Sequence, residues 1–207
     1  MPISMLEKLL AEAHESYKQS LRSLAFGKLT EARKAGELLA NAQRELAKAK
    51  GEEYAVPYDI GFLPEAAVSE AVVLQTELKT ILTFSAVRET PDEMRTSVGY
   101  GIVEFERCCL TKFGHPNDEA RPGHSLYSKG LGAYGVYEVR NSLWSRQTIE
   151  MNQRRFPNAP EFVGRHFIFT FHDSTFECLA SGLRASASSG PYSQLFMEIA
   201  KKVFERG

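Results

Sequence analysis

The sequence has little cysteine, a single tryptophan, almost no net charge and no long apolar run. Its three cysteines, two of them adjacent as Cys108 and Cys109, make a poor disulfide framework, because neighbours in sequence bridge badly and the third is left without a natural mate. A reducing compartment is the expectation. The formal charge is −1, from 25 Lys plus Arg against 26 Asp plus Glu, so no field spans the molecule to attract nucleic acid or anionic lipid. Nucleic acid is therefore not an expected partner. No stretch approaches the ~18 apolar residues of a membrane-crossing helix, and the N-terminal leucines are interrupted by Glu7, Lys8, Glu12 and Glu15, unlike a secretory leader. The expected location is cytoplasmic, with no membrane partner. No Gly-rich phosphate loop, G-x-S-x-G elbow, C-x-x-C pair or H-E-x-x-H helix is expected either, so the common enzyme signatures are missing.

What is present is the material for a core. The chain has 207 residues, of which 43% are apolar and 25% charged, close to globular averages. Leu6, Leu10, Ala13, Tyr17, Ser20 and Leu24 recur at spacings of four and three, and so do Ala32, Ala35, Leu39, Ala42, Leu46 and Ala49. Each set forms one stripe of a helix. Gly27 suits a left-handed C′ position and Thr30 an N-cap, which predicts an antiparallel helical hairpin over residues 1–50. Its alanine-rich seam suits close packing on itself, on the rest of the chain, or on a second copy as a homo-oligomer. Residues 51–64, with two Pro and two Gly and no periodicity, read as a linker.

Residues 65–207 are expected to form an α+β sheet domain. Residues 65–76 fit either a short helix or the lead into a strand, since β-branched content rises only from Val72. Residues 79–87 and 99–113 read as strands, 134–152 as a helix ended by Pro157 and Pro160, and 165–181 as a hairpin. A last helix starts at Pro191. The order ββαββα predicts an antiparallel sheet covered by helices.

Two segments concentrate chemistry. In RHFIFTFHDSTFEC, residues 165–178, a two-residue turn at Asp173-Ser174 would put Phe167, Phe169, Phe171, Phe176, Cys178 and Ala180 on a buried face. His166, Ile168, Thr170, His172, Thr175, Glu177 and Leu179 would then share the other. On it His172 and Glu177 become diagonal neighbours, a carboxylate–imidazole pair suited to acid–base work or to a plain cross-strand contact on a solvated face. In GHPNDEARPGH, residues 114–124, His115, Asp118, Glu119 and His124 are candidate ligands for a divalent metal, although the spacing matches no standard site and the prolines and glycines equally suit a rigid loop. Cys108 or Cys109 could serve as a nucleophile activated by a histidine, but both lie inside a strand pattern, where one would face the core and be inert.

The runs FGHPNDEARPGHSLYSKGL at 113–131, YEVRNSLW at 137–144 and HFIFTFHDSTFECLA at 166–180 resemble a group of small bacterial proteins. That resemblance covers roughly the second half of the chain. It implies a stand-alone bacterial-type domain and transfers no catalytic residue. Three functions follow as expectations. The first is a non-enzymatic binding or regulatory protein, of the immunity or defence-associated kind, that recognises a protein partner through the sheet face or the 114–124 loop. The second is a small metal-dependent hydrolase using His115 and His124 with His172 and Glu177. The third is a scaffold assembled through the N-terminal hairpin.

Overall fold

The computed structural model describes residues 1–23, 29–66, 68, 70–90, 95–158 and 164–204. Helices α1 (Ile3–Ser23) and α2 (Leu29–Ala49) pack together as the expected hairpin. The stripe periodicity reads out directly as burial. Leu6 is buried, Leu10, Ala13, Tyr17 and Ser20 are half-buried, and Ala32, Ala35 and Leu39 are buried across the seam. Leu24 and the Gly27 turn lie outside the described residues, and Thr30 sits inside α2, whose first residue is Leu29. A 3.0 Å Lys50–Glu7 ion pair ties the open end of the hairpin.

The α+β class and antiparallel pairing are as expected, with more strands than the ββαββα order contains. Residues 51–64 are built into the sheets, as β1 (Tyr54–Pro57) and β2 (Leu63–Pro64). Within 65–76 the β-branched end becomes β3 (Val72–Gln75), followed by β4 (Thr80–Glu89) and β5 (Arg95–Glu106). The expected strand 99–113 is broken after Glu106, where Arg107 takes a left-handed φ of 47°. The chain then leaves one sheet for the other as β6 (Leu110–Gly114). Cys108 and Cys109 lie in that crossing and not within a strand.

The helix expected over 134–152 is half strand. Val136–Arg140 forms β7, and α3 (Leu143–Arg155) begins only after Asn141, at a φ of 54°, and the N-cap Ser142. The β-branched Val136 and Val139 and a buried Tyr137 favour a pleated, doubly covered strand over a helical stripe. β8 (Arg165–Thr170), β9 (Thr175–Ala180) and β10 (Gly182–Ser188) follow, and α4 (Tyr192–Phe204) closes the order.

Two five-stranded antiparallel arrays result, β1-β7-β8-β9-β6 and β10-β5-β4-β2, with β3 also paired to β4. They stack face to face around the expected phenylalanines. Phe167, Phe169, Phe171, Phe176, Cys178 and Ala180 meet Leu82, Phe84, Val103 and Phe105 from the other sheet. The rings contact at 5.3 Å for Phe105–Phe176 and 5.8 Å, edge to face, for Phe105–Phe169. Helix α4 covers the outer face of the second sheet with Leu195, Ile199 and Val203 against Ile81. On the outer face of the first sheet, Leu126 and Leu131 of the long 115–135 connection pack over Ala55, Tyr137, Val139 and Ile168. That cover positions the site.

Candidate functional site

The β8–β9 hairpin has a longer turn than expected. Thr170 pairs with Thr175, Phe169 with Phe176 and Ile168 with Glu177, two residues off the register that a two-residue turn imposes. Because a strand has a period of two, such a slip leaves every side chain on its assigned face. The phenylalanine face is therefore correct, while each cross-strand neighbour changes. The opposite face is not solvated. Ile168 and Leu179 are fully buried, and His166, Thr170 and Thr175 nearly so.

What covers that face is the glycine- and proline-rich connection after β6. It is fastened at three points: the Asp118 N–H donates to the His172 carbonyl at 2.9 Å, the Thr175 hydroxyl to the Pro116 carbonyl at 2.8 Å, and the Gly135 N–H to Thr170 Oγ1 at 3.0 Å. Asn117 caps a turn inside the loop by accepting from the Ala120 N–H. The two histidine-bearing segments thus meet, but in different pairs from those expected.

His172 does not pair with Glu177. It contacts Asp118 at 2.8 Å through Nδ1, and the Tyr134 hydroxyl donates to the same carboxylate oxygen. The Asp118 carboxylate raises the His172 pKa, with burial opposing, and the bonds from Tyr134 and His172 lower that of Asp118. Tyr134 is held at a φ of 48° to reach this position, a conformation that costs a non-glycine residue energy.

Glu177 is instead shared by two other histidines. Oε2 lies 2.9 Å from His166 Nε2, and Oε1 lies 3.7 Å from His124 Nε2. In each ring the second nitrogen is already engaged. His124 Nδ1 accepts from the Leu126 N–H at 3.1 Å, and His166 Nδ1 lies 2.9 Å from Ser142 Oγ. That leaves the Nε2–H of both rings to face the carboxylate. Burial alone would raise Glu177. The bonds from His124 and His166 and the charge of Lys112 outweigh it and hold the carboxyl well below the usual carboxylate range.

Beside this carboxylate opens a cleft of about 210 Å³ lined by Lys112, His124, Trp144, His166 and Glu177 among others. The Lys112 ammonium sits 3.9 Å over the Trp144 ring. Ser142, His166 and Glu177 follow the hydrogen-bond order of a hydrolytic triad, yet the geometry argues for a brace. Ser142 is 6% exposed and its hydroxyl caps α3 by accepting from the Ser145 N–H at 3.1 Å. It is also outside the lining of the cleft. A nucleophile needs an open approach for its substrate, and this buried hydroxyl has none.

The four metal-ligand candidates are divided. Asp118 goes to His172 and His124 to Glu177, while His115 and Glu119 stay exposed. Among the described residues no group of three or more His, Cys, Asp or Glu is disposed to hold a metal ion.

Sequence reasoning overlooked His166 and Ser142 as polar partners. The signal was available, since an outward-facing histidine on a strand flanked by phenylalanines needs a partner once its face is covered. It also overlooked the G-x-G-x-x-G spacing at Gly130, Gly132 and Gly135, contrary to the expected absence of a glycine-rich loop. That loop enters a strand and does not open a helix, so the dinucleotide-binding context is missing. The bond with the Cys178 sulfur lowers the Cys108 thiol to about 7 against the opposing effect of burial. No family model, no curated protein and no solved structure matches the chain.

Proposed function

We propose that the protein is a non-enzymatic binding protein that recognises an acidic, amphipathic segment of a protein partner along α3 and the adjacent edge strand β6. The carrying observation is that α3 buries none of its residues while exposing Leu143, Met151 and, at its C-cap, Phe156, the last two 65% and 56% exposed. Three arginines against one glutamate, Glu150, give this helix a net positive charge. β6 is the last strand of its sheet and leaves Phe113 49% exposed, so its outer edge, which no strand among the described residues pairs with, suits strand addition. Exposed apolar side chains interspersed with arginine, beside an edge strand, suit a recognition surface.

The polar network fits this reading. Ser142 and His166 brace the start of α3 against the sheet, and Lys112 and Trp144 join α3 to β6. Its members hold one another and leave no free nucleophile. The test compares partners retained from native lysate by immobilised wild-type protein, by Met151→Glu with Arg154→Glu and Arg155→Glu, and by His172→Ala as a control. A species retained by wild type and His172→Ala but lost from the α3 variant supports the proposal. Retention that is indifferent to the α3 substitutions contradicts it.

A further inference from the structure

A second cleft, of about 380 Å³, lies between α2 and the 121–137 segment and shares no lining residue with the Trp144 cleft. Its cations are Arg33, Arg44 and Arg121, and its acid is Glu37. Arg33 is already engaged, with Glu37 at 3.5 Å and Glu89 at 2.8 Å. The other two are not matched in this way. Among the described residues, Nε and Nη1 of Arg121 are buried with no hydrogen-bond partner, and Arg44 donates to neutral acceptors, the Gly130 carbonyl at 3.4 Å and the Asn41 side chain. Burial lowers its pKa, against the fields of Tyr137 and Glu45. Tyr137 lines the same cleft as both guanidinium groups; burial raises its hydroxyl, and the charges of Arg121 and Arg44 oppose that rise.

Buried guanidinium donors without acceptors are destabilising, and a fold that keeps them commonly uses them on a ligand. The loop is shaped for close approach to the Tyr137 hydroxyl. A Cβ on Gly135 would come within 2.7 Å of Tyr137 Oη, so only glycine leaves the hydroxyl where it is. The volume exceeds what a bare phosphate needs and falls in the range of about 300–1,000 Å³ usual for small-molecule sites.

We propose that this cleft binds a small, multiply charged oxyanion, with Arg121 and Arg44 as the charged donors and Tyr137 as the hydroxyl in the same cleft. Phosphate and carboxylate groups share the required chemistry, and the partner surface on α3 plays no part in it. The competing explanation is that the Arg121 nitrogens meet only water or the Tyr137 ring.

Calorimetric titration of the full chain at fixed ionic strength, with pyrophosphate and separately with citrate, decides between them. Saturable binding of at least one anion is expected, and the anion that binds identifies the group. Affinity should fall at least tenfold in Arg121→Gln and in Arg44→Gln, and stay within twofold in Arg22→Gln, an exposed arginine of α1. Arg121→Gln should melt, without ligand, at the same temperature as wild type or higher, because it removes an unpaired buried charge. Should Arg121→Gln fail to fold, Arg121→Lys, which keeps the charge with fewer donors, should bind more weakly than wild type. No saturable heat from either anion would overturn the proposal. So would equal losses in Arg22→Gln, or unchanged affinity in the Arg121 and Arg44 variants.

Discussion

Glu177 and His172 titrate in opposite senses, and each makes its own pH signature. The Glu177 carboxyl is depressed in the folded protein, so its contribution to stability is present above the ordinary glutamate pKa. That contribution drains away as pH falls toward the folded value. Wild type should therefore lose melting temperature below about pH 5 more steeply than Glu177→Gln, which has no such group to protonate. Parallel acid limbs in the two proteins would contradict the assignment. His172 is raised by Asp118, so its contribution is complete below the unfolded histidine value and is lost as pH rises through the folded one. Asp118→Asn should return the His172 titration, followed by NMR, toward the ordinary range. The residue types at these positions were legible in the sequence. The pairing was not, because a two-residue difference in turn length preserves faces and exchanges neighbours.

The elements divide by how local their determinants are. The α1 and α2 stripes, strand β4 and the phenylalanine face of β8 and β9 follow from apolar spacing and β-branched content, although β4, β8 and β9 are buried on both faces. Strand β7 and the break between β5 and β6 do not. Tyr137, Asn141 and Trp144 happen to fit a helical stripe, while the chain is redirected by left-handed residues at Tyr134, Asn141 and Arg107, none of them glycine. The outer face of β8 and β9 was expected to be wet because the sequence does not announce that a loop of glycine and proline will cover it. The start of α3 depends on Ser142, which serves both the Ser145 N–H and His166. Ser142→Ala should cost about 2–3 kcal/mol in urea unfolding, combining a lost cap with an unsatisfied buried imidazole nitrogen. A cost below about 0.5 kcal/mol, the level of an ordinary surface substitution, would show that the brace carries little. In the core, Phe169→Ala should cost about 3–5 kcal/mol, since the ring is fully buried between sheets.

At the scale of the molecule, the helical hairpin is a cover as well as an appendage. Arg33 meets Glu89 of β4 at 2.8 Å, and Arg44 reaches the Gly130 carbonyl. Those contacts join α2 to the second sheet and to the connection that leads into β7 of the first. Deleting residues 1–50 should therefore lower the urea midpoint of the remainder, because the loop over Ala55, Leu131 and Tyr137 loses its outer support. An unchanged midpoint would make the hairpin a free module and would return attention to assembly as its role.

The docking of the 115–135 connection onto the β8–β9 face through Glu177 is the feature on which the cleft, the brace and the placement of α3 all depend. Long-range ¹H–¹⁵N NMR of the histidine rings in wild type and Glu177→Gln tests it most directly. The expected result is that His124 and His166 both carry their proton on Nε2 at neutral pH, and that both ring signals shift in the variant while His172 stays in place. A variant that moves the His172 signals and leaves those of His124 and His166 unchanged would contradict it.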